Sequence, residues 1–493
     1  MKTLSVSWQI VKEGFEGDMD GFTKAIAALT DFIWGIPLMV LLIGGGIFLT
    51  ARLGFFQFRY FPHIIKQTFG KIFSKSEGDG TLTPFQATTS ALASTMGAAN
   101  IVGVPVAIAL GGPGAIFWMW LVALIGMGTK YSEVVLGIHY REKNKEGEFV
   151  GGPMYYIKKG LGWKKVAGFV AFALMIEIIA STMVQANSIA SSMSGSFGLP
   201  PLVTGIGVAL LVIAVTYGGI KTIGKVTEKL IPFMVVIYLA AALAVLIYNF
   251  KEVPQAFLLI FEYAFRPMSA AGGFAGAGVA AAIRWGLARG LYSNEAGMGT
   301  APIAHSAAIN DHPAKQGFWG VFEVIVDTLV VCTITALVVL TSGVWQTTSP
   351  DDASNMVTQA FVPLFGSSIA GTIVTATLFL FVITTVVVII YYGEKQAEFL
   401  FGTGASKVMR VVYIAAIFVG ALGGLRFIWQ FLDLLLAAVV IPNVIAVLFL
   451  SGKVREITKD YFTNLYPVEH KKKAKGGNPH VRTAESDGNA GAD

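Results

Sequence analysis

The sequence predicts an all-α polytopic membrane protein with about eleven transmembrane helices, and three observations carry that prediction. Of 493 residues, 54% are hydrophobic and only 13% are charged, whereas a soluble domain carries roughly 25% charged residues. Apolar runs long enough to cross a bilayer recur along the chain. Residues 369–390 and 231–249 hold no charge at all, and 427–450 come close; a span needs about 20 apolar residues. The basic residues also sort by loop, as described below. Short segments alternating at period 2 are absent, which argues against a β-barrel.

Taken in order, the segments are roughly 32–52, 84–110, 112–138, 166–194, 201–219, 230–249, 274–292, 317–342, 369–391, 409–424 and 429–451. Arg52, Arg59, Lys66, Lys71 and Lys75 follow the first segment, and this stretch is taken as cytoplasmic. Alternation then collects 27 of the 36 Lys and Arg on that face. Lys130, Arg284 and Arg289 fall near inner helix ends, and only Lys2, Lys12, Lys24, Lys251, Arg266 and Arg426 lie outside. Cytoplasmic loops of membrane proteins are enriched in Lys and Arg, so the expected topology is N-terminus out and C-terminus in. The net charge of +6 is thereby accounted for by topology and calls for no nucleic-acid partner.

Five regions follow: an extracytoplasmic segment 1–31, an extra helix 32–52, two groups of five helices at 84–249 and 274–451, and a cytoplasmic tail 453–493. The tail carries Lys471-Lys472-Lys473 and a polar, Gly-containing end, and reads as solvated. The first residues mix both signs of charge without a compact apolar stretch, so no cleaved signal peptide is expected. The single cysteine, Cys332, cannot form an internal disulfide and reads as a small buried residue.

Hydrocarbon tolerates unwound backbone only where it lines a cavity or is buried in protein. Glycine and proline clusters inside a span therefore mark candidate sites. The second span contains Met96-Gly97-Ala98-Ala99-Asn100 and, further on, Gly103 and Pro105. The seventh opens with Gly272-Gly273-Phe274-Ala275-Gly276-Ala277-Gly278. Tight packing through small residues is the alternative reading of both. With the first helix set aside, each break falls in the first helix of a group of five. An odd number of helices per group inverts the second half relative to the first, the layout of an inverted repeat with its site at the midplane. Free N–H groups at a half-helix N-terminus suit a carboxylate, and free carbonyls suit a cation or an ammonium group. Phe274, Gly276 and Trp285 are accordingly candidate substrate contacts, although an aromatic at position 285 equally suits packing.

Polar groups inside the membrane are expensive and mark functional positions by default. Glu177 and Gln185 are eight residues apart and share a helix face. Gln185 is a candidate contact for the amino or carboxylate group of a substrate. Glu177 is read as a partner for Arg284 or Arg289, or as a proton site. Glu323 and Asp327, one turn apart, either relay protons or hydrogen-bond a neighbouring broken helix. Asp433, near the outer end of the last span, is read as hydrated. Asn294-Glu295, where the seventh span reaches the cytoplasm, is either a gate or a helix cap.

Gly111-Gly112-Pro113-Gly114-Ala115-Ile116-Phe117-Trp118-Met119-Trp120-Leu121-Val122-Ala123-Leu124-Ile125-Gly126 resembles the signature of the alanine or glycine:cation symporter family. The stretches 97–105, Gly151-Gly152-Pro153-Met154-Tyr155-Tyr156-Ile157 and Ser293-Asn294-Glu295-Ala296-Gly297-Met298-Gly299 are similar to that family too. The resemblance runs from about residue 83 to 450. It implies a leucine-transporter-like fold with five-plus-five inverted repeats and one extra N-terminal helix. It also implies sodium as the co-transported ion, alanine or glycine as substrate, and a multi-pass location in the cell inner (plasma) membrane. By a shorter resemblance to leucine-type transporters, amides near Gly97, Ala98 and Ala99, beside Asn100, face the substrate carboxylate. The same resemblance puts sodium between the carbonyls of Ala93 and Met96 and the hydroxyls of Thr384 and Thr385; back-bonding of those hydroxyls to the preceding turn is the alternative.

Other chemistries lack their residues. The stretch 219–226 approaches a phosphate-binding loop but lacks its closing Ser or Thr, and no HExxH or Gly-x-Ser-x-Gly motif is present. The expected function is sodium-coupled symport of a small neutral amino acid. Proton coupling through Glu177, Glu323 or Asp327 is the alternative, and a channel a more distant one.

Overall fold

The computed structural model describes residues 28–467 apart from 75, 268–277 and 424–425. The chain is helical nearly throughout. It begins with α1 (Ala28–Arg52). The first group of helices comprises α2 (Pro84–Thr95), α3 (Ala99–Gly111), α4 (Ala115–His139), α5 (Pro153–Gly160), α6 (Lys164–Phe197), α7 (Pro201–Thr216) and α8 (Gly219–Tyr248). After α9 (Val253–Phe265), the second comprises α10 (Val279–Asn294), α11 (Ala301–His305), α12 (Pro313–Thr341), α13 (Met356–Phe365), α14 (Ser367–Phe401), α15 (Thr403–Ala421) and α16 (Arg426–Phe449). A last helix, α17 (Ser451–Asp460), returns along the protein.

Among the described residues, eight helices are long and apolar enough to cross a membrane, or nine if the bent pair α2–α3 is one span. Two of the eleven expected segments correspond to shorter helices, α7 and α10, each of 16 residues. The pair α2–α3 bends by 46° at its break, where the sequence places it. A break that was not expected lies at the other end of the seventh segment. The helix at the seventh span runs unbroken from Val279 to Asn294, and the chain leaves helical geometry only at residues 295–300, before α11. The glycines at 272, 273 and 276 lie outside the described residues. Asn294-Glu295 is therefore the edge of a break rather than the end of a span.

Helix α2 shows how the sequence builds a polar helix inside an apolar protein. Thr83 opens it with a reciprocal cap: Gln86 N donates to Thr83 Oγ1 and Thr83 N to Gln86 Oε1, both at 3.1 Å, and Pro84 occupies the first turn, where its missing N–H costs nothing. The buried hydroxyls that follow bond back to the previous turn, Thr88 to Pro84 O at 2.7 Å and Ser90 to Gln86 O at 2.8 Å, so no polar group is stranded. At the centre, α6 and α14 pack against one another and against α2, and the middle of α14 from Phe381 to Gln396 is buried on every side. The outer helices expose Leu210, Phe233, Val236, Ile247 and Val411, the surface expected where the neighbour is lipid.

Because the cap anchors the helix that carries Ala93 and Met96, Thr83→Ala should cost about 1 kcal/mol. The check is a lowered apparent unfolding temperature of detergent-solubilised protein.

Candidate functional site

At the first break the helical ladder is diverted. Gly97 N donates to Thr95 O (3.1 Å) and Asn100 Oδ1 (3.1 Å) instead of the carbonyl four residues back. Asn100 N turns to Gly97 O at 3.4 Å. The carbonyls of Ala93 and Met96 are thereby freed, and Thr385 of α14 donates its hydroxyl to both, at 2.7 and 3.3 Å. Ala98 N is held by Gln185 Oε1 of α6 at 3.3 Å. Glycine at 97 is required by proximity: a Cβ there would lie 2.9 Å from Thr385 Oγ1 and 3.0 Å from Gln185 Nε2.

The second break is held by a carboxylate. Glu295 adopts a left-handed conformation (φ 54°), as do Gly297 and Gly299. This frees amides that a buried segment must pair. Glu133 of α4 takes two of them, Gly297 N at 3.2 Å and Gly299 N at 2.9 Å. Asn443 of α16 donates to Glu133 Oε1 at 2.6 Å and to Gly297 O at 2.8 Å, and Tyr156 of α5 donates to Asn443 Oδ1. Helices α4 and α16 thus converge on Gly297 and Gly299, and α5 braces the Asn443 side chain.

Two further clusters brace the breaks. Asn100 Nδ2 donates to Asp327 Oδ1 at 2.7 Å, and Ser293 and Thr328 donate to Asp327 Oδ2 at 2.6 and 2.7 Å. Lys130, fully buried, donates to Asn294 O at 3.0 Å and pairs with Glu323 at 3.3 Å, while His305 contacts the other oxygen of Glu323. Between the two breaks lies an enclosed cavity of about 20 Å³, room for about one water molecule. Its walls include Ala99, Glu177, Gln185, Glu295, Thr385 and Tyr392. Oxygen from hydroxyls and main-chain carbonyls suits a hard cation. Among the described residues no cluster of three His, Cys, Asp or Glu side chains is placed to hold a metal.

The family model for the sodium:alanine symporter family matches residues 19–475. The chain belongs to that family. Among its relatives, the sodium/alanine symporter AgcS of Methanococcus maripaludis is 43% identical over 89% of this chain and 97% of its own length. The uncharacterized transporter YflA of Bacillus subtilis is 53% identical, covering 89% of this chain and 93% of YflA. Among solved structures, MhsT in complex with L-phenylalanine superimposes with a TM-score of 0.55 at 14% identity, over 78% of this chain and 90% of that one. That likeness concerns the fold, which is leucine-transporter-like.

In this symporter-family chain, the structure brings together Ala93, Met96, Gly97, Ala98, Ala99, Asn100, Gln185, Thr385 and Glu295. Other expected residues lie elsewhere. Thr384 spends its hydroxyl on Leu380 O and Phe381 O, at 3.0 and 2.9 Å, because it sits about 100° around the helix from Thr385. Trp285 does not reach the cavity; it lies beside the guanidinium groups of Arg284 and Arg289, 5.4 and 5.2 Å from its ring. Those arginines pair with Asp31 and Asp433, at 2.5 and 3.7 Å. They therefore do not pair with Glu177, which accepts from Ser181 at 2.5 Å. Asp433 is likewise an ion-pair partner. Asn294 braces the break, donating to Thr328 Oγ1 and accepting from Ala296 N. Phe274 and Gly276 lie outside the described residues. Sequence reasoning missed Glu133 and Asn443, although an acidic residue and an amide inside apolar segments are the signal that finds such positions.

Glu133→Leu leaves the Gly297 and Gly299 amides and the Asn443 donor unpaired, each orphan costing about 1–3 kcal/mol. Thermal unfolding should place Glu133→Leu well below wild type. Glu133→Gln, which keeps one acceptor oxygen, should fall between them.

Proposed function

We propose that this protein couples sodium entry to the uptake of a small neutral amino acid by alternating access. The observation that carries the reading is the convergence of Ala93 O, Met96 O and Thr385 Oγ1 at the first break. A sodium ion in that place takes the two carbonyls directly and turns the Thr385 hydroxyl, so that it offers a lone pair. All three ligands are neutral and come from two helices, α2 and α14. Binding therefore ties the broken helix to its neighbour, a differential contact of the kind that shifts a conformational equilibrium.

The amino acid lies beside it, between the breaks. Its carboxylate approaches the Gly97, Ala98 and Ala99 amides and takes the place that Gln185 Oε1 holds on Ala98. The enclosed cavity is smaller than any amino acid, so loading requires the helices around it to part. The small space left between its walls favours alanine or glycine. In the cell the expected location is the plasma membrane, N-terminus outside and C-terminus cytoplasmic, following the distribution of Lys and Arg. Family membership and the naming of AgcS as a sodium/alanine symporter support this reading.

Proton coupling is the second reading, and one placement favours it: of the carboxylates expected to carry a proton, Glu177 lines the cavity. Glu323 and Asp327 are engaged by Lys130, His305, Asn100 and Ser293.

Uptake of labelled alanine into proteoliposomes should require a sodium gradient and should not respond to a proton gradient alone; the reverse result overturns sodium coupling. Removing a hydrogen-bonding partner of a charged group costs about 1.5–3 kcal/mol. Thr385→Val should accordingly lower apparent sodium affinity by about tenfold to a hundredfold, and Thr384→Val by less. An inverted order would move the ion away from the two carbonyls.

A further inference from the structure

The cavity has a pronounced charge asymmetry. Two carboxylates, Glu177 of α6 and Glu295 at the second break, form part of its wall, and no Lys, Arg or His lines it. Both residues are buried, 3% and 6% exposed. Each is bound at one oxygen only. Glu177 Oε1 accepts from Ser181 at 2.5 Å; Glu295 Oε2 accepts from Ser94 at 3.1 Å and from Thr300 at 2.5 Å. Among the described residues, Glu177 Oε2 and Glu295 Oε1 have no hydrogen-bond partner. The buried ammonium of Lys130 is engaged by Asn294 O and Glu323. Gln185, 4% exposed, faces the same space. Its Oε1 is taken by Ala98 N, and its Nε2 donor has no partner among the described residues.

Two buried carboxyl groups with open acceptor oxygens on one cavity suit a ligand group that brings N–H donors and positive charge. We propose that Glu177 and Glu295 form the subsite that receives the ammonium group of the transported amino acid, with the Gln185 amide donating to its carboxylate. This rests on the symport reading and deepens it. An ammonium group carries three N–H donors and no acceptor, and the wall offers two open carboxylate oxygens. The substrate zwitterion then lies with its positive end on two acidic side chains and its negative end at the first break. Sodium has its own neutral ligands at Thr385 and the two carbonyls, so it does not compete for the pair. The subsite selects a ligand by its positive end: a compound that keeps the ammonium and loses the carboxylate still binds, and one that keeps the carboxylate and loses the ammonium does not.

The test is equilibrium displacement of labelled alanine from the purified full-length protein in saturating sodium. The competitors are alaninamide, which keeps the ammonium and neutralises the carboxylate, and lactate, which keeps the carboxylate and replaces the ammonium with a hydroxyl. Alaninamide should displace alanine within about tenfold of alanine itself, and lactate should need at least about a hundredfold more, equivalent to two steps of 1.4 kcal/mol. This comparison needs no variant and so does not depend on the folding of one. In Glu177→Gln, alanine affinity should fall about tenfold or more, while the sodium concentration for half-maximal thermal stabilisation stays within about twofold. Lactate competing as well as alaninamide overturns the proposal. So does Glu177→Gln with unchanged alanine affinity, or a variant in which only the sodium dependence shifts, which would assign the pair to a second sodium ion. Wild-type protein that binds no alanine at all overturns the symport reading itself, a result distinct from these.

Discussion

A buried backbone cannot leave its amides and carbonyls unpaired, and in hydrocarbon no water is at hand to pair them. The rest of this structure follows from that constraint. Two interruptions, at Met96-Gly97 and at residues 295–300, release main-chain groups near the centre of the bundle. Every named interaction around them answers the release: Thr385 for the carbonyls of Ala93 and Met96, Asn100 and Gln185 for the amides of Gly97 and Ala98, Glu133 and Asn443 for the peptide groups of Gly297 and Gly299. The helices contributing these side chains, α4, α6, α14 and α16, are thereby tied to the breaks. A shift of any one of them changes the pairing of the unwound chain.

The two breaks are solved with different chemistry. The first is paired directly by neutral side chains only, and its two freed carbonyls suit a cation that carries its own charge. The second is clamped by a carboxyl side chain, Glu133, whose oxygens accept from the freed N–H groups. The remaining buried acids divide likewise. Glu323 is matched by Lys130 and His305, and Asp327 is saturated by three side-chain donors. Glu177 and Glu295 are left open toward the cavity. The bracing acids each face a cation or several donors, and the acids with open oxygens line the cavity.

Much of this was legible in the residues. Low charge content and long apolar runs require a membrane protein whatever the packing. The first break could be read because Gly97, Asn100, Gly103 and Pro105 combine poor helix formers with an intramembrane polar group. The pairing of Ala93, Met96 and Thr385 also agrees with the expectation from resemblance. The break at residues 295–300 was not read from the residues, because glycine content alone does not separate a helix that unwinds from one that packs closely. At Gly297 and Gly299 the left-handed backbone is stabilised by Glu133, more than 160 positions away in the chain, and no local pattern reports such a partner.

What the sequence by itself determined is the solvent, the helical class and the inventory of polar groups carried into hydrocarbon, because these depend on composition and on local spacing. What only the tertiary structure decided is who meets whom. Thr384 and Thr385 are neighbours of one chemical type, yet one bonds back into its own helix and the other crosses to α2. Arg284 and Arg289 find Asp31 and Asp433 rather than Glu177. Such pairings depend on the rotation of each helix about its axis, which is settled by the packing of all the others at once and has no signature in any single segment.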